Sequence, residues 1–228
     1  MLEFQLKKDS VRFLEQIQEL FGSTLYGNLS MNEMGTSQLD HSFSNQLDEF
    51  GTSISNCMKC SLGQNRNKFV FGVGDRHADL MFVGEAPGKE EDLKGEPFVG
   101  RGGKLLDKIL SAIKMTRLKN VYICNVLKCR PPQNRDPLPD EVEKCESYLL
   151  HQITLIKPKL IVALGRISGT TLLRIDDTLK SMRGQLHDYH GTPLLVTYHP
   201  AALLRNPNLK KYAWEDFQFI RDFINKKK

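Results

Sequence analysis

The chain has 228 residues, 40% of them hydrophobic and 26% charged, so it is long enough to bury a core of its own. No run approaches the roughly 18 to 20 apolar residues that cross a bilayer, and Met1 to Lys8 lack the basic and apolar regions of a secretory signal. Glycine and proline are too few for a collagen-like or fully disordered chain. We therefore expect a cytoplasmic globular protein with no membrane partner.

Charge divides the chain into two parts. Residues 1–56 contain three basic and eight acidic residues, a formal charge of −5, whereas the remaining 172 residues carry +10. A basic body attracts polyanions, of which nucleic acid is the commonest, although excess lysine also keeps a surface soluble. We predict an acidic N-terminal helix plus flexible linker over residues 1–56 and a basic domain over residues 57–228.

The acidic part has two segments. Apolar residues recur at roughly helical spacing from Leu2 to Phe21, which predicts an amphipathic helix. Residues 22–56 are rich in Gly, Ser, Asn and Thr without a sustained period, which predicts a mobile linker. The helix could bind a partner protein, dock on the body or mimic a negatively charged strand, and the sequence favours none of these.

Four short runs of consecutive apolar residues in the body predict strands that are covered on both faces. The runs lie at 80–83, 121–124, 160–164 and 194–196. Helical patterns lie at 102–115, 139–156, 166–174 and 209–225. This alternation predicts a three-layer α/β sandwich with a central, mostly parallel four-stranded sheet flanked by helices. Ligands of such sheets bind beyond the carboxyl ends of the strands, so the residues directly after each run are the candidate site residues.

Five cysteines in a chain without a secretory signal favour metal binding or simple burial over disulfides. Cys57 and Cys60 share one tight turn, a spacing that lets two thiolates bind one metal centre. Cys129 follows a strand and Cys145 lies inside the next predicted helix, so folding can bring both towards the first pair. Ligand type alone fits zinc and an iron-sulfur cluster equally well, and chance spacing of buried thiols is the alternative. Cys124 ends an apolar strand and is expected to be an inert core residue.

Short motifs follow the predicted strands in a fixed order. They are Gly84-Glu85-Ala86-Pro87-Gly88, Glu91-Asp92 and Gly95 to Gly100 after the first strand, Asn125 to Pro132 with Asn134-Arg135 after the second, Gly165-Arg166 after the third, and Tyr198 to Pro207 after the last. The first, second and last of these groups, with the cysteines interleaved, resemble the motifs of the family 4 uracil-DNA glycosylases. The resemblance extends from about residue 57 to the C-terminus.

This resemblance implies a DNA-repair enzyme of base excision. Such a monofunctional glycosylase hydrolyses the N-glycosidic bond of deoxyuridine in DNA, releases free uracil and leaves an abasic site. The resemblance also implies a [4Fe-4S] cluster held by Cys57, Cys60, Cys129 and Cys145, with residues 57–228 as the catalytic domain. The alternative function is a noncatalytic nucleic-acid-binding module organised by zinc or iron-sulfur.

Three residues have side chains that suit the chemistry of an extruded uracil. Phe98 offers a flat face on which the flipped base stacks. The Asn125 amide can donate and accept at the edge of uracil, and so reject cytosine. His199 can donate a hydrogen bond to uracil O2 as negative charge accumulates there. Their ordinary structural alternatives are a core plug, a turn residue and a loop cap.

The resemblance places four further residues, Glu85, Ala86, Pro87 and Glu91, beside the bound uracil. Glu85 and Glu91 are candidate catalytic carboxylates that support the cationic sugar or order water. Related families carry an aspartate where this chain has Ala86, so the obvious general base is missing. Asn134 is the candidate for holding the attacking water.

Basic residues cluster at the same loop ends and are predicted to bind DNA phosphates. They are Arg101, Lys104, Lys128, Arg130, Arg135 and Arg205. Leu203 or Leu204 is predicted to fill the gap left by the flipped base, with helix packing as the alternative. Gly102 stands where the family usually has alanine. We expect a monomer that binds uracil-containing DNA, with a possible protein partner for the N-terminal segment.

Overall fold

A computed structural model of the protein describes residues 46–226. Its strands are β1 (Val73–Gly74), β2 (Leu80–Gly84), β3 (Val121–Asn125), β4 (Leu160–Leu164), β5 (Leu186–Tyr189) and β6 (Thr192–Thr197). They form one six-stranded sheet in the order β1-β3-β2-β4-β6-β5. The four central strands are parallel, and the edge strands β1 and β5 are antiparallel to their neighbours.

The four predicted strands are the four central strands of this sheet. Their residues are apolar without alternation because helices cover both faces, as the sequence pattern indicated. The predicted strand number is wrong, since the sheet has six strands rather than four. Strand β1 has only two residues, and β5 mixes exposed and buried positions, so neither produces a continuous apolar run.

The described part of the chain contains two 3-10 helices, Pro132–Asn134 and Pro207–Leu209, and nine α-helices. They are α1 (46–54), α2 (Leu62–Asn65), α3 (Lys89–Lys94), α4 (Arg101–Ala112), α5 (Pro139–Ile156), α6 (Arg166–Leu173), α7 (Leu179–Met182), α8 (Pro200–Arg205) and α9 (Lys210–Lys226). Helices α4, α5, α6 and α9 correspond to the four predicted in the body. Within residues 46–226, no helix is long and apolar enough to span a membrane.

Two hydrophobic layers hold the helices on the sheet. Met81 and Val83 of β2 face one layer with α1, α5 and α6, while Leu80 and Phe82 face the other with α4 and α9. Successive residues of a strand point to opposite faces, so one apolar strand serves both layers. The three-layer α/β sandwich predicted from the sequence is thereby confirmed.

Residues 46–54 are helical, so the linker prediction is wrong for this segment. Leu47, Phe50 and Ile54 are buried, and the Phe50 ring centroid lies 5.6 Å from that of Phe71 and 6.1 Å from that of Tyr148. Leu47, Phe50 and Ile54 have helical i, i+3, i+7 spacing, but three apolar residues within a stretch rich in Gly, Ser, Asn and Thr are too few to sustain a period. The predicted helix at 2–21, and the predicted linker up to residue 45, lie outside the described residues.

Candidate active site

A cavity of about 660 Å³ opens at the edge of the sheet where the four parallel strands end. This volume lies within the usual range for small-ligand sites. The cavity is lined by all seven residues predicted to surround the base, which are Glu85, Ala86, Pro87, Glu91, Phe98, Asn125 and His199. The structure therefore brings together the motifs that follow β2, β3 and β6.

Gly84 lets an aromatic ring and an amide meet in this cavity. It ends β2 in register with Asn125 at the end of β3. A Cβ atom on Gly84 would overlap Asn125 Oδ1 and would lie 2.7 Å from Cζ of Phe98. Because glycine has no Cβ, both side chains can occupy the space beside this strand end.

The unusual backbone conformation of Phe98 is stabilised by neighbouring residues, and this sets the position of the ring. Phe98 has a left-handed φ of 53°, which is costly for an aromatic residue. Its carbonyl oxygen accepts a hydrogen bond from Arg117 Nη2 at 2.9 Å, and a Cβ on Gly103 in α4 would overlap this carbonyl group. These contacts offset the backbone strain. The ring centroid of Phe98 lies 5.4 Å from that of His199.

His199 is a neutral hydrogen-bond donor by virtue of its position at the start of α8. Its Nδ1 accepts the backbone N–H of Ala201 at 3.1 Å, and only an unprotonated nitrogen can accept. Desolvation, followed by the positive charge of Arg205, lowers the His199 pKa to about 4 against the opposing effect of Glu91. The proton of the neutral ring is therefore on Nε2, which is left for a ligand.

Asn125 is 2% exposed. Its backbone oxygen has a hydrogen-bond partner among the described residues, whereas its side-chain amide has none. The backbone oxygen accepts a hydrogen bond from Lys128 Nζ at 2.7 Å. The side-chain amide takes part in none of the hydrogen bonds among residues 46–226. Its donor and acceptor are both available to a ligand in the cavity.

Glu85 lies near two charged residues, Asp136 and Arg166, for which the sequence predicted no role. Desolvation and, second, the negative charge of Asp136 raise the Glu85 pKa from 4.5 to about 7, against the opposing effect of the positive charge of Arg166. All three residues line the cavity. Arg166 directly follows β4, so its position after a predicted strand was the available signal, whereas nothing in the sequence pointed to Asp136.

Replacing Glu85 by glutamine is expected to stabilise the folded protein at alkaline pH only. Because the folded-state pKa is raised, the unfolded chain releases this proton first, and stability falls as pH rises from 4.5 to about 7. Above that window the ionised carboxylate costs on the order of 2 kcal/mol of unfolding free energy. Thermal unfolding should show a higher Tm for Glu85→Gln at pH 8 and no difference at pH 4. Equal Tm differences at both pH values would contradict the raised pKa.

Glu91 and Asn134 have partners that bear on their predicted roles. Glu91 Oε1 accepts the backbone N–H groups of Val99 and Gly100, each at 3.0 Å, so this carboxylate anchors the loop that carries Phe98. Asn134 Oδ1 accepts a hydrogen bond from Arg130 Nε at 2.7 Å. The side-chain nitrogen of Asn134 is the group left to contact water.

Two of the predicted DNA contacts have other partners. Lys128 is 0% exposed, so its prediction as a phosphate ligand is wrong. The Arg135 guanidinium donates to both carboxylate oxygens of Glu141, at 2.9 and 2.6 Å, which gives it a structural role. Arg101 and Arg205 are exposed and line the cavity, Lys104 is exposed elsewhere on α4, and Arg130 is half-buried; contact of these four with phosphates stays a prediction.

The two adjacent leucines of α8 are expected to behave differently when truncated. Leu203 is 1% exposed and Leu204 is 38% exposed, so the predicted wedge can only be Leu204. Leu203→Ala should lower the unfolding free energy by about 2 to 5 kcal/mol, because it leaves a cavity in the core. Leu204→Ala should leave Tm nearly unchanged but reduce excision from double-stranded DNA more than from single-stranded DNA. Equal loss on both substrates would contradict the wedge.

The four candidate metal ligands lie in adjoining apolar clusters. Cys60, Cys129 and Cys145 share one cluster with Leu62 and Leu127, and Cys57 joins Cys145 in the next. Three of the sulfurs accept hydrogen bonds. Tyr148 Oη donates to Cys57 Sγ at 3.2 Å, the backbone N–H of Lys128 donates to Cys145 Sγ at 3.3 Å, and Arg66 Nη1 donates to Cys129 Sγ at 3.5 Å. Such donors stabilise sulfur that carries negative charge.

Ligand chemistry alone does not select the kind of metal group. Thiolates bind zinc and iron-sulfur clusters equally well, and among residues 46–226 no group of three Cys, His, Asp or Glu side chains is arranged to hold a metal ion. Cys124 is buried in the main core, as predicted.

Fold and cavity together define the class of α/β proteins whose ligand site lies at the carboxyl edge of a parallel sheet. Residues 71–218 match the family model of the uracil DNA glycosylase superfamily. The chain is 44% identical over 189 residues to the type-4 uracil-DNA glycosylase of Archaeoglobus fulgidus, covering 79% of this chain and 94% of that protein. It is 42% identical over 180 residues to the type-4 enzyme of Thermotoga maritima, covering 76% and 92%. The chain belongs to the uracil DNA glycosylase superfamily, which confirms the resemblance.

Proposed function

We propose that this protein is a monofunctional uracil-DNA glycosylase of base excision repair. It hydrolyses the N-glycosidic bond of deoxyuridine in DNA, releasing free uracil and leaving an abasic site. The observation that carries the proposal is the meeting of Phe98, Asn125 and His199 in one cavity of a member of this superfamily. The names of the type-4 relatives support the same substrate.

Recognition begins when the uracil leaves the base stack and enters the cavity. Phe98 stacks on the flipped ring. The Asn125 amide donates to O4 and accepts from N3–H, a pairing supported by its burial and by the absence of other partners among the described residues. Cytosine has an amino group at the O4 position and no proton on N3, so it would leave the buried amide unpaired.

Bond cleavage moves the C1′–N1 electron pair onto the departing uracil. Negative charge develops on uracil O2 while the sugar becomes cationic. His199 Nε2–H donates to O2 from a neutral ring whose tautomer is already set by Ala201. The ring does not have to rotate or change its protonation state during the step, so this donor stabilises the transition state effectively.

Water completes the reaction by forming a bond to C1′. The ionised Glu85 carboxylate stabilises the cationic sugar and accepts the proton that the water releases. Its pKa of about 7 makes it a suitable base at neutral and higher pH. The Asn134 amide nitrogen orients this water, and Glu91 keeps the Phe98 loop in position.

The chemistry of the donor set fits a [4Fe-4S] cluster. Cys57, Cys60, Cys129 and Cys145 would hold it, because four thiols from three separate segments adjoin one another and three of them receive hydrogen bonds. When bound, the cluster supplies a structural cross-link rather than a reacting group.

The basic rim of the cavity and Leu204 hold the DNA. A monomeric state, a cytoplasmic location, the unit boundary at residue 57 and a protein partner for the N-terminal segment stay predictions.

Excision from a single-uracil oligonucleotide tests this function. The purified protein is incubated with the oligonucleotide, and strands are separated with and without alkali. Cleavage at the uracil only after alkali is expected, with no cleavage of a matched oligonucleotide carrying cytosine at the same position. Binding without cleavage would overturn the proposal in favour of the noncatalytic module.

Iron analysis of the purified protein should give about four irons per chain, and one zinc instead would overturn the assignment of a [4Fe-4S] cluster.

A further inference from the structure

Lys128 is a lysine with no contact to solvent. It is 0% exposed, which is rare for this residue type. Its Nζ donates to the backbone oxygen of Asn125 at 2.7 Å and to Oε1 of Gln152 at 2.6 Å. Gln152 is fixed in turn, because its Nε2 donates to the Phe71 carbonyl at 3.0 Å and to Tyr122 Oη at 3.2 Å. The ammonium group therefore sits in a defined, buried position.

The hydrogen-bond partners of this cation carry no charge. Both acceptors are neutral oxygens, and none of the ion pairs among the described residues includes Lys128. The neighbouring Cys124 is a neutral thiol, since burial raises its pKa above the usual value despite Lys128. A buried cation without an anion is unfavourable. Negative charge from another source would offset this cost.

A cluster bound by the cysteines would supply negative charge on the other side of Lys128. Lys128 directly precedes Cys129, and its backbone N–H donates to Cys145 Sγ at 3.3 Å. Its backbone oxygen accepts the N–H of Val70 at 2.9 Å, which fixes the peptide. Thiolate ligands of a cluster are anionic. One residue thus contacts both the strand end that carries Asn125 and the proposed cluster ligands.

We propose, on the basis of the function proposed above, that Lys128 is a positioning residue that couples the cysteine cluster to uracil recognition. The negative cluster holds the buried ammonium, and the ammonium holds the Asn125 carbonyl, which sets the direction of the Asn125 amide. Removing the charge would release this carbonyl and remove one of the cations beside the cysteines, where Arg66 Nη1 also lies 3.5 Å from Cys129 Sγ. Both kcat for uracil excision and the stability of the bound cluster should then decrease.

The variant Lys128→Met tests the coupling, because methionine has a similar length and no charge. Lys159→Met is the matched control, since Lys159 pairs with Asp79 at the opposite end of β4. The full chain is purified with its cluster, and four quantities are compared: kcat for uracil excision, affinity for uracil-free DNA, iron per chain, and the decay of visible absorption under a mild oxidant. For Lys128→Met we expect kcat to fall roughly 10- to 100-fold and the absorption to decay faster, with DNA affinity unchanged. The control should match the wild type in all four.

The outcomes separate this inference from the proposed function. An inactive wild type would overturn the function, whereas an active wild type with unchanged kcat and cluster decay in Lys128→Met would overturn only the coupling. Parallel losses of kcat, DNA affinity and Tm would indicate a merely structural lysine and also overturn it. If Lys128→Met does not fold, Gln152→Leu removes one acceptor and keeps the lysine. A lower kcat with full iron in that variant supports the coupling, and an unchanged kcat contradicts it.

Discussion

Replacing His199 by alanine is expected to lower kcat for uracil excision by roughly 100- to 1,000-fold, because it removes the donor to the developing O2 anion. The affinity for uracil-containing DNA should change by less than about threefold, since binding depends mainly on phosphate contacts and base stacking. Single-turnover kinetics and a DNA-binding titration measure the two effects. The exposed His77, outside the cavity, provides the control variant His77→Ala, which should retain wild-type kcat. Equal losses of kcat and affinity would contradict the role of His199.

The pH dependence of kcat offers a second test of the same residue. The His199 pKa is lowered to about 4 because the ring is desolvated and faces Arg205. The imidazole is therefore neutral at every pH above about 5, and its titration should not appear in the profile near the ordinary value of 6.5. The acid limb should instead reflect Glu85, with activity falling as pH drops below 7. An inflection near 6.5 that vanishes in His199→Ala would contradict a neutral donor.

Much of the fold could be predicted from local pattern. The apolar runs at 80–83 and 160–164 predicted central strands, because a strand covered on both faces has no polar positions. The prediction failed where the local apolar pattern is weak. Helix α1 is buried against Phe71 and Tyr148, which are distant in sequence, and β5, the hairpin partner of β6, has no continuous apolar run.

The site could be predicted to a similar extent. Residues that follow strands, such as Asn125 and His199, reach the cavity because parallel strands end at one edge. Side-chain direction was not predictable in the same way. From the sequence, Lys128 is expected to be a surface cation like the nearby Arg130, yet its side chain points inward and contacts Asn125 and Gln152. Leu203 and Leu204 are indistinguishable by type, and only packing of α8 separates them.

Helix α3 links the cysteine segment to the aromatic side of the cavity. Asp92 is buried, and its carboxylate accepts the backbone N–H of Asn67 at 2.9 Å as well as the Asn67 side-chain amide. The preceding residue, Glu91, holds the loop that carries Phe98. Adjacent acidic residues of one short helix thus connect both regions. This series of contacts connects the Phe98 side of the base pocket to Asn67, in the segment that follows Cys57 and Cys60.

Replacing Gly84 by alanine is expected to reduce kcat/KM for uracil excision by roughly 100-fold or more, although only one methyl group is added. The new Cβ would overlap Asn125 Oδ1 and lie 2.7 Å from Phe98 Cζ, so both recognition groups must move. Displacement of reacting or orienting groups by about 1 Å already costs on the order of 100-fold in rate. Steady-state kinetics on the single-uracil oligonucleotide measures the loss.

Gly102 provides the matched control for this substitution. It also lines the cavity, but a Cβ there would meet Ala201 N at 3.5 Å, an ordinary contact. Gly102→Ala should therefore keep kcat/KM within about threefold of the wild type. Helix α4 should tolerate the change, since alanine has a higher helix propensity than glycine. If Gly84→Ala were as active as Gly102→Ala, close approach of Phe98 and Asn125 to Gly84 could not be what shapes the base pocket.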